Sequence, residues 1–332
     1  RMDAYTDALC AHLTEAAPLA SSHTVDTVYF GGGTPSYLGE KRLVKLMKTV
    51  KKRFALARDA EITLEANPDS AGDWKTLRLL RRAGFNRLSL GVQAADDTLL
   101  RRIGRVHTWD QVLSAAAAAR MAGFENLSLD LIYGLPQQTL EAWQDTLRAA
   151  LALEPRHMSC YGLKVEPNTP LWQQRETAQL PDDDTQADMY LWTVDYLAEK
   201  GYGQYEISNF ALPGYESRHN WKYWTLGEYA GFGPGAHSDM GGVRFAYERD
   251  LDSYIAGDLQ LSEMEEIPPL DRDLEYIMLS LRTTQGIDSG YFERQYRQKF
   301  QPMEELLTQY ESHGLAQRTE RGWRLTPRGF FV

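Results

Sequence analysis

Residues 27–35 have the sequence TVYFGGGTP, in which a short β-branched and aromatic run leads directly into three glycines. The run Thr27 to Phe30 is typical of a buried strand. The glycines let a ligand approach the backbone closely, and their free N–H groups can bind a carboxylate or a phosphate. A tight strand-to-helix turn is the structural alternative. A strand, a turn and a helical stretch form a unit that recurs in type over the first two thirds of the chain.

Four further strand-like segments follow, and each leads through turn residues into an amphipathic helical stretch. The strands are Glu61–Ala66, Arg87–Val92, Asn126–Tyr133 and His157–Val165. Helices are expected at Asp3–Glu15, Gly39–Phe54, Asp73–Ala83, Asp96–Ile103, Trp109–Ala122 and Leu140–Leu153. This alternation predicts an α/β fold with parallel pairing and right-handed crossovers. A doubly wound sheet is the alternative, but functional-looking residues at the strands' carboxyl ends favour a full or partial (β/α) TIM-like barrel.

The alternation fades near Pro170, which predicts three regions. Residues 1–170 form the partial barrel, 171–262 a connecting region with an aromatic, glycine-rich segment, and 263–332 a C-terminal domain. The last region combines two or three helices with a hairpin and is similar to a winged helix. Its helix Met303–Ser312 carries three glutamates and no lysine or arginine, so it cannot complement phosphates. We therefore expect no nucleic-acid partner.

Local patterns predict four elements in and after the connecting region. Asp182–Lys200 is expected to form one long helix, and Gln204–Phe210 a short strand. The segment Glu265–Pro269 ends in two prolines and is interpreted as a linker. The hairpin of the C-terminal domain is expected at Ala316–Leu325.

The composition is that of a globular protein. The 332 residues include 36 Lys and Arg against 46 Asp and Glu, for a net charge of −10. This length suggests about two domains, and the acidic balance argues against general affinity for nucleic acid or an anionic membrane. No apolar run approaches the ~20 residues of a membrane helix. The two cysteines form no disulfide framework and no metal motif, which favours a reducing, cytoplasmic location.

Polar side chains collect where the predicted strands end. Glu65 and Asn67 close the second strand, Gln93 follows the third, and Asp130 lies in the fourth. A lone carboxylate there is more often a helix cap, but the carboxyl ends of barrel strands meet at one mouth. Two carboxylates, an amide and a glycine cradle suit an adenosyl amino acid. A dinucleotide fingerprint fits badly, because Ser36 occupies the place of its third glycine.

Five motifs together resemble the radical S-adenosylmethionine family, and more narrowly its oxygen-independent coproporphyrinogen III oxidase group. They are GGGTP at 31–35, LEANP at 64–68, RLSLGVQ at 87–93, IGRVH at 103–107 and DLIYGLP at 130–136. The resemblance covers nearly the whole chain and implies an S-adenosylmethionine site. Its residues would be Gly32, Gly33 and Thr34 at the methionyl end, Glu65 and Asp130 near the ribose, and Gln93 and Arg105 to complete the pocket.

A second motif, HNWKYW at 219–224, is similar to one that marks the heme-chaperone branch of this group. The resemblance implies heme binding, with His219 as the preferred iron ligand and Tyr223 as the alternative. Imidazole is a common axial ligand of heme, and aromatic walls suit a porphyrin face. His237 is a weaker candidate. Without the resemblance, His219 would be interpreted as a satisfied structural histidine.

The chain departs from the family in its cysteines. The family holds a [4Fe–4S] cluster on a Cys-x-x-x-Cys-x-x-Cys motif, whereas this chain has only Cys10 and Cys160, so we predict no metal ligands in it. Either a natural member lost its cluster, or the sequence begins downstream of the first barrel strand and its cysteine loop. We expect the second, with five of six barrel strands present and the cluster confined to a full-length protein.

The resemblance implies a heme chaperone that uses S-adenosylmethionine and passes heme to apo-hemoproteins. The alternative is a coproporphyrinogen III oxidase, in which a 5′-deoxyadenosyl radical starts the oxidative decarboxylation of propionate groups. A barrel lyase or hydrolase with Glu65 and Asp130 as acid and base is a third hypothesis, which the order of the motifs does not favour. Whether the chain is an enzyme is left open.

Overall fold

The computed structural model describes residues 1–331. Its helices are α1 (Met2–Ala16), α2 (Glu40–Arg53), α3 (Trp74–Ala83), α4 (Asp97–Arg102), α5 (Trp109–Ala122), α6 (Leu140–Leu151), α7 (Pro170–Gln173), α8 (Asp183–Glu199), α9 (Arg218–Trp224), α10 (Leu251–Ile255), α11 (Asp273–Ser280), α12 (Ser289–Tyr296) and α13 (Gln301–Ser312). Its strands are β1 (Val25–Phe30), β2 (Leu56–Ala66), β3 (Arg87–Gln93), β4 (Asn126–Tyr133), β5 (His157–Gly162), β6 (Gly203–Glu206), β7 (Asn209–Ala211), β8 (His237–Met240), β9 (Val243–Tyr247), β10 (Leu261–Glu266), β11 (Ile287–Asp288), β12 (Ala316–Arg318) and β13 (Gly322–Leu325).

A seven-stranded sheet organises the first two thirds of the chain, in the order β1-β2-β3-β4-β5-β7-β6. Strands β2 to β5 pair in parallel, and β7 and β6 continue the sheet in antiparallel pairing. Helices occupy the connections between the parallel strands, as right-handed crossovers require. The α/β fold with a partial-barrel sheet is therefore confirmed.

The central strands have one apolar and one polar face. Alternate residues such as Leu88, Leu90 and Leu129 are fully buried, as expected for the side of a parallel sheet that helices cover. The residues between them, including Ser89 and Ser128, are polar and also buried. Because side chains alternate along a strand, this second face brings the polar residues of neighbouring strands together.

The helix boundaries follow the capping signals in the sequence. Thr108 and Gln111 form the expected capping box at the start of α5, and Gly123 ends that helix in a left-handed conformation. Asp73 caps the start of α3, with its carboxylate accepting the N–H groups of Lys75 and Thr76. The predicted helices differ from the observed ones by no more than two residues at each end.

Two expectations for the later part of the chain are wrong. The predicted single strand Gln204–Phe210 is a hairpin, in which β6 and β7 pair across a tight turn. Glu265 and Glu266 belong to β10 and pair with β9, so the segment Glu265–Pro269 is a linker only in its last part. In both places the structure depends on hydrogen bonds to a partner strand, and the local sequence pattern does not predict that pairing.

The residues divide into two compact units. The strand unit comprises Tyr29–Tyr37, Ile62–Ser217 and residues 330–331, and the mixed unit comprises Arg1–Val28, Leu38–Glu61 and Arg218–Gly329. In the mixed unit, the end of the chain has its own core around Phe292 and Trp323, beneath the three-stranded sheet β11-β13-β12. The expected hairpin is β12 and β13.

Candidate functional site

The glycine turn after β1 leaves space beside the backbone. Gly32 has a φ of +110°, a conformation that favours glycine. A Cβ added at Gly31 would lie 2.6 Å from the Tyr29 ring, so packing excludes a larger residue there. A Cβ at Gly33 would meet no atom within 4 Å. Packing therefore does not require a glycine at position 33, and the space beside this backbone is open.

Glu65 lies beside this turn at the end of β2. The Tyr29 hydroxyl donates a hydrogen bond to Glu65 Oε1 at 2.7 Å, and the Gly32 N–H donates to the same carboxylate. Burial raises the pKa of Glu65, although the hydrogen bond from Tyr29 opposes the shift. Next to it, the Asn67 side-chain amide donates to Thr34 Oγ1 at 3.2 Å. The turn and the end of β2 thus form one hydrogen-bonded group.

Asp130 is surrounded by serine hydroxyls on the polar face of the sheet. Ser89 donates to its two oxygens at 2.9 and 3.1 Å, Ser128 donates at 3.3 Å, and Ser159 also hydrogen-bonds the carboxylate. Burial raises the pKa of Asp130, and these hydrogen bonds oppose the shift. The charge of Asp130 also raises the pKa of Glu65, which indicates that the two carboxylates lie near each other.

Gln93 ends β3 in an unusual backbone conformation. It is buried, with a φ of +68°, at an irregularity in the pairing of β3 with β4. A Cβ at Gly91 would lie 3.0 Å from Gln93 Nε2 and 3.2 Å from Asn67 Oδ1, so the two amides converge there. A left-handed non-glycine residue costs on the order of 1–3 kcal/mol, and such residues cluster at ligand sites.

Arg105 lies in the loop after α4 and is half-buried. The nearby His107 ties this loop to β3, because its Nε2 is hydrogen-bonded to the Val92 carbonyl at 3.1 Å. Within residues 1–331, Arg105 forms no ion pair with an acidic side chain. Its guanidinium is thus available to a ligand carboxylate.

The two cysteines lie in unrelated settings. Cys10 on α1 accepts a hydrogen bond from the Thr49 hydroxyl at 3.3 Å. Cys160 is buried in β5, where burial raises the pKa of its thiol. No three His, Cys, Asp or Glu side chains of residues 1–331 are grouped so that they could hold a metal ion. Since an iron–sulfur cluster needs more thiolates than this chain contains, the residues present do not fit one.

The second predicted site lies on α9 in the mixed unit. The Nδ1 atom of His219 is hydrogen-bonded to Thr27 Oγ1 at 2.8 Å, and its Nε2 to the Tyr223 hydroxyl at 3.0 Å. The Tyr223 ring lies edge-on to His219 and to Tyr229, with ring centroids 5.3 and 4.8 Å apart. His219 is half-buried, and Tyr223 is 42% exposed. The candidate ligands therefore contact each other, and one of them faces solvent.

His237 lies elsewhere, at the start of β8. It is exposed, and its Nδ1 is 3.5 Å from the Glu263 carboxylate.

Several residues of the two sites were missed in the sequence. Tyr29 holds Glu65, Thr27 holds His219, and the buried Glu61 accepts the N–H groups of Arg218 and His219 at 3.1 and 3.0 Å. Glu61 thereby fixes the first turn of α9. The alternation of polar and apolar residues in β1 and β2 was the available signal, since it marks which strand residues share a face.

Comparisons with known proteins show the family of this chain. The chain matches the radical SAM superfamily over residues 10–150 and the HemN C-terminal domain over residues 267–332. The heme chaperone HemW of Bacillus subtilis is 36% identical over 336 residues, which cover 99% of this chain and 88% of that protein. The chain belongs to the HemW family of radical SAM proteins. The heme chaperone HemW of Escherichia coli is 38% identical over 84% of this chain and 74% of its own length.

Among solved structures, the chain is similar to the E. coli coproporphyrinogen III oxidase HemN, described as a radical SAM enzyme. The TM-score is 0.85 at 27% sequence identity, and the match covers 99% of this chain and 81% of HemN. This chain and HemN thus share the fold. In residues 1–331, no helix combines the length and apolar character that a membrane span requires.

Proposed function

We propose that this HemW-family chain binds heme through His219 and passes it to apo-hemoproteins in the cytoplasm. The relatives named heme chaperone support the activity, and the geometry of α9 supports the ligand. The observation that carries the proposal is the pairing of His219 Nε2 with a tyrosine that is 42% exposed. A hydroxyl at that position can be displaced by an iron atom that approaches from solvent.

Of the two ring nitrogens, Nε2 is the coordinating atom in this proposal. Nδ1 keeps its hydrogen bond to Thr27, which fixes the ring orientation and the tautomer, as second partners of metal-binding histidines do. Glu61 holds the backbone of the same helix turn. The imidazole is thus oriented before heme arrives, and the Tyr223 hydroxyl has to move before Nε2 can bind iron.

Titration with ferric heme tests this assignment. The substitution His219→Ala is expected to change the Soret band and to weaken binding about tenfold or more, the scale of losing a metal contact. His313→Ala is the matched control, because His313 is an exposed histidine whose Nδ1 contacts only neighbours in sequence. His237→Ala tests the weaker candidate. An H219A variant with the spectrum and affinity of the unmodified chain would exclude His219 as the ligand.

We further propose that the strand-end site, which comprises the glycine turn after β1 and the polar residues of β2, β3 and β4 and their following loops, binds S-adenosylmethionine. Gly32, Gly33 and Thr34 would receive the methionyl end, Glu65 and Asp130 would face the ribose, and Gln93 and Arg105 would complete the pocket. The space beside Gly33 and the unpaired Arg105 support this fit. In the superfamily, S-adenosylmethionine supplies radical chemistry together with a reduced [4Fe–4S] cluster, for which this chain lacks thiolate ligands.

Binding of S-adenosylmethionine can be measured without a cluster, by equilibrium dialysis. Gly33→Leu places a side chain in the space that the ligand would occupy, so affinity is expected to fall about tenfold while the unfolding free energy changes by less than about 0.5 kcal/mol. Gly203→Leu is the control, since a Cβ there meets only the Ala211 carbonyl at 3.9 Å. Equal affinities of the G33L and G203L variants would contradict the proposed site.

The coproporphyrinogen oxidase alternative has weaker support. HemN is 27% identical to this chain, whereas the HemW relatives of B. subtilis and E. coli are 36% and 38% identical. The likeness to HemN is that of a family relative, and no residue contact described above favours decarboxylation.

A further inference from the structure

The HNWKYW motif presents two different faces of α9. His219 and Tyr223 are four residues apart and share the face that contacts Thr27. Trp221 and Trp224 are three residues apart and, at about 100° per residue, lie on another face. These two tryptophans line a cavity of about 460 Å³, whose lining, among the described residues, includes neither His219 nor Tyr223. Trp221 and Trp224 therefore contribute to the cavity and not to the face of α9 that carries His219.

The cavity lies within the mixed unit and has aromatic walls. Besides the tryptophans, it is lined by Tyr276 on α11 and by Tyr291 and Tyr296 on α12. The rings of Tyr291 and Tyr296 lie 5.2 and 5.6 Å from that of Tyr276. Its volume is in the range of small-molecule sites, about 300–1,000 Å³. Walls of this kind suit a flat aromatic ligand.

One arginine in the cavity lining can receive an anionic group of a ligand. The carboxylates in its lining are already engaged: Asp239 pairs with Arg272 and Arg244, Glu228 accepts the Gly241 N–H, and Asp288 caps α12. Arg321 also lines the cavity, is exposed, and forms no ion pair with the side chains of residues 1–331. A guanidinium group that forms no ion pair can bind the carboxylate of a ligand through two hydrogen bonds.

A second arginine lies against the tryptophan wall. The Arg282 guanidinium is 5.7 Å from the centroid of the Trp224 ring, which places a further cation beside the cavity. Aromatic walls with peripheral guanidinium groups fit a planar aromatic ring that bears carboxylates at its edge. Among ligands consistent with a heme chaperone, a tetrapyrrole dicarboxylate has this chemistry.

We propose that this cavity binds the ring of a tetrapyrrole dicarboxylate by stacking on Trp221 and Trp224, with a carboxylate on Arg321, independently of His219 and of any iron. The inference rests on the proposed function only for its choice of a tetrapyrrole. Heme would then have two places on the two faces of one helix: an iron-dependent place at His219 and an iron-independent place in the cavity.

Metal-free protoporphyrin IX is the probe that separates the two places, because it has no iron for His219 to bind. Its binding to the whole chain can be followed by fluorescence. Trp224→Ala and Arg321→Glu are each expected to weaken binding about tenfold, the size of one stacking or charge-assisted contact. His219→Ala is expected to bind the probe like the unmodified chain.

Matched controls exist for both changes. Trp172→Ala removes another tryptophan that is 37% exposed and carries an arginine 4.5 Å from its ring centroid. Arg328→Glu reverses another exposed charge. Arg321 is at the surface, so R321E tests the cavity even if W224A fails to fold.

The proposal is overturned if the chain does not bind the probe, if H219A weakens binding as much as W224A, or if R321E binds like R328E. None of these outcomes decides the role of His219, which the ferric-heme titration tests separately. Loss of the ferric-heme response in H219A with unchanged binding of the probe would support both assignments.

Discussion

His157 and His219 have the same hydrogen-bonding pattern in very different surroundings. The Nδ1 of His157 is bonded to the Ser128 hydroxyl and its Nε2 to the Tyr205 hydroxyl, both at 2.8 Å. His219 is bonded to Thr27 and Tyr223 in the same two positions. His157 has no exposed surface and Tyr205 is 5% exposed, whereas Tyr223 is 42% exposed. Both histidines are bonded to two hydroxyl groups, but only His219 has a partner that is exposed to solvent. We therefore interpret His157 as a histidine that supports the fold and His219 as one that can exchange a partner.

The surroundings of His157 give it a structural role close to the strand-end site. Its partner Ser128 also donates to Asp130, so His157 supports the residues around that carboxylate from within the sheet. Burial holds the pKa of His157 well below its ordinary value, which favours the neutral ring in the folded chain. Displacement of either partner would leave a polar group buried without a hydrogen bond.

The largest expected difference between His157 and His219 is in how much each contributes to the free energy of unfolding. His157→Ala leaves a cavity and removes one hydrogen bond from each of two buried hydroxyls, so the unfolding free energy should fall by about 3 kcal/mol. His219→Ala should lower it by less than about 1 kcal/mol, because its exposed partner Tyr223 can turn to water. Urea unfolding followed by circular dichroism measures both. Equal losses in the two variants would remove the distinction between the two histidines.

Acid provides a second test of burial. Burial lowers the pKa of His12 to about 4 and holds that of His157 well below its ordinary value. Below the ordinary histidine pKa of about 6.5, the unfolded chain therefore binds protons that these two side chains exclude in the folded chain. The stability that each contributes is complete above this pH and is lost as the pH falls. The loss per histidine should approach about 1.4 kcal/mol per pH unit between pH 6 and 4.

This dependence can be assigned by substitution. His157→Gln and His12→Gln should each give a shallower decline of the unfolding free energy between pH 7 and 4 than the unmodified chain, as measured by urea titrations at each pH. Near-ultraviolet circular dichroism at pH 7 shows whether the variants are folded. Parallel curves for H157Q and the unmodified chain would mean that His157 accepts a proton in the folded state.

The smallest expected effect concerns the exposed tyrosine. Tyr223→Phe removes the hydroxyl that occupies His219 Nε2, so ferric heme should bind about two- to fivefold more tightly, the size of one hydrogen bond. Tyr229→Phe is the control, since it leaves that hydrogen bond in place. If Tyr223 rather than His219 ligates the iron, Y223F will instead lose the heme spectrum.

Much of the fold could be predicted because its signals are local. The buried strand Asn126–Tyr133 and the helix Trp109–Ala122 have the predicted bounds, since strand-forming residues and a capping box mark them. The hairpin at Gly203–Ala211 could not be predicted, because the pairing of β7 with β5 decides it. The candidate site was likewise predictable only in part. Glu65 and Asp130 can be identified as strand-end carboxylates from the sequence. The contacts that Tyr29 and the three serines make with them cannot.

The motif on α9 shows most clearly that a local sequence pattern does not reveal which residues share a surface. HNWKYW appears in the sequence as one unit, yet the helix separates His219 and Tyr223 from Trp221 and Trp224. The sequence by itself determined the alternating α/β order, the family and the residue types of both sites, because these depend on periodicity and on short motifs. Only the tertiary structure decided which histidine is buried, which tyrosine is exposed and which side chains share a cavity. Those properties depend on what packs against each residue from elsewhere in the chain, and no local pattern contains that information.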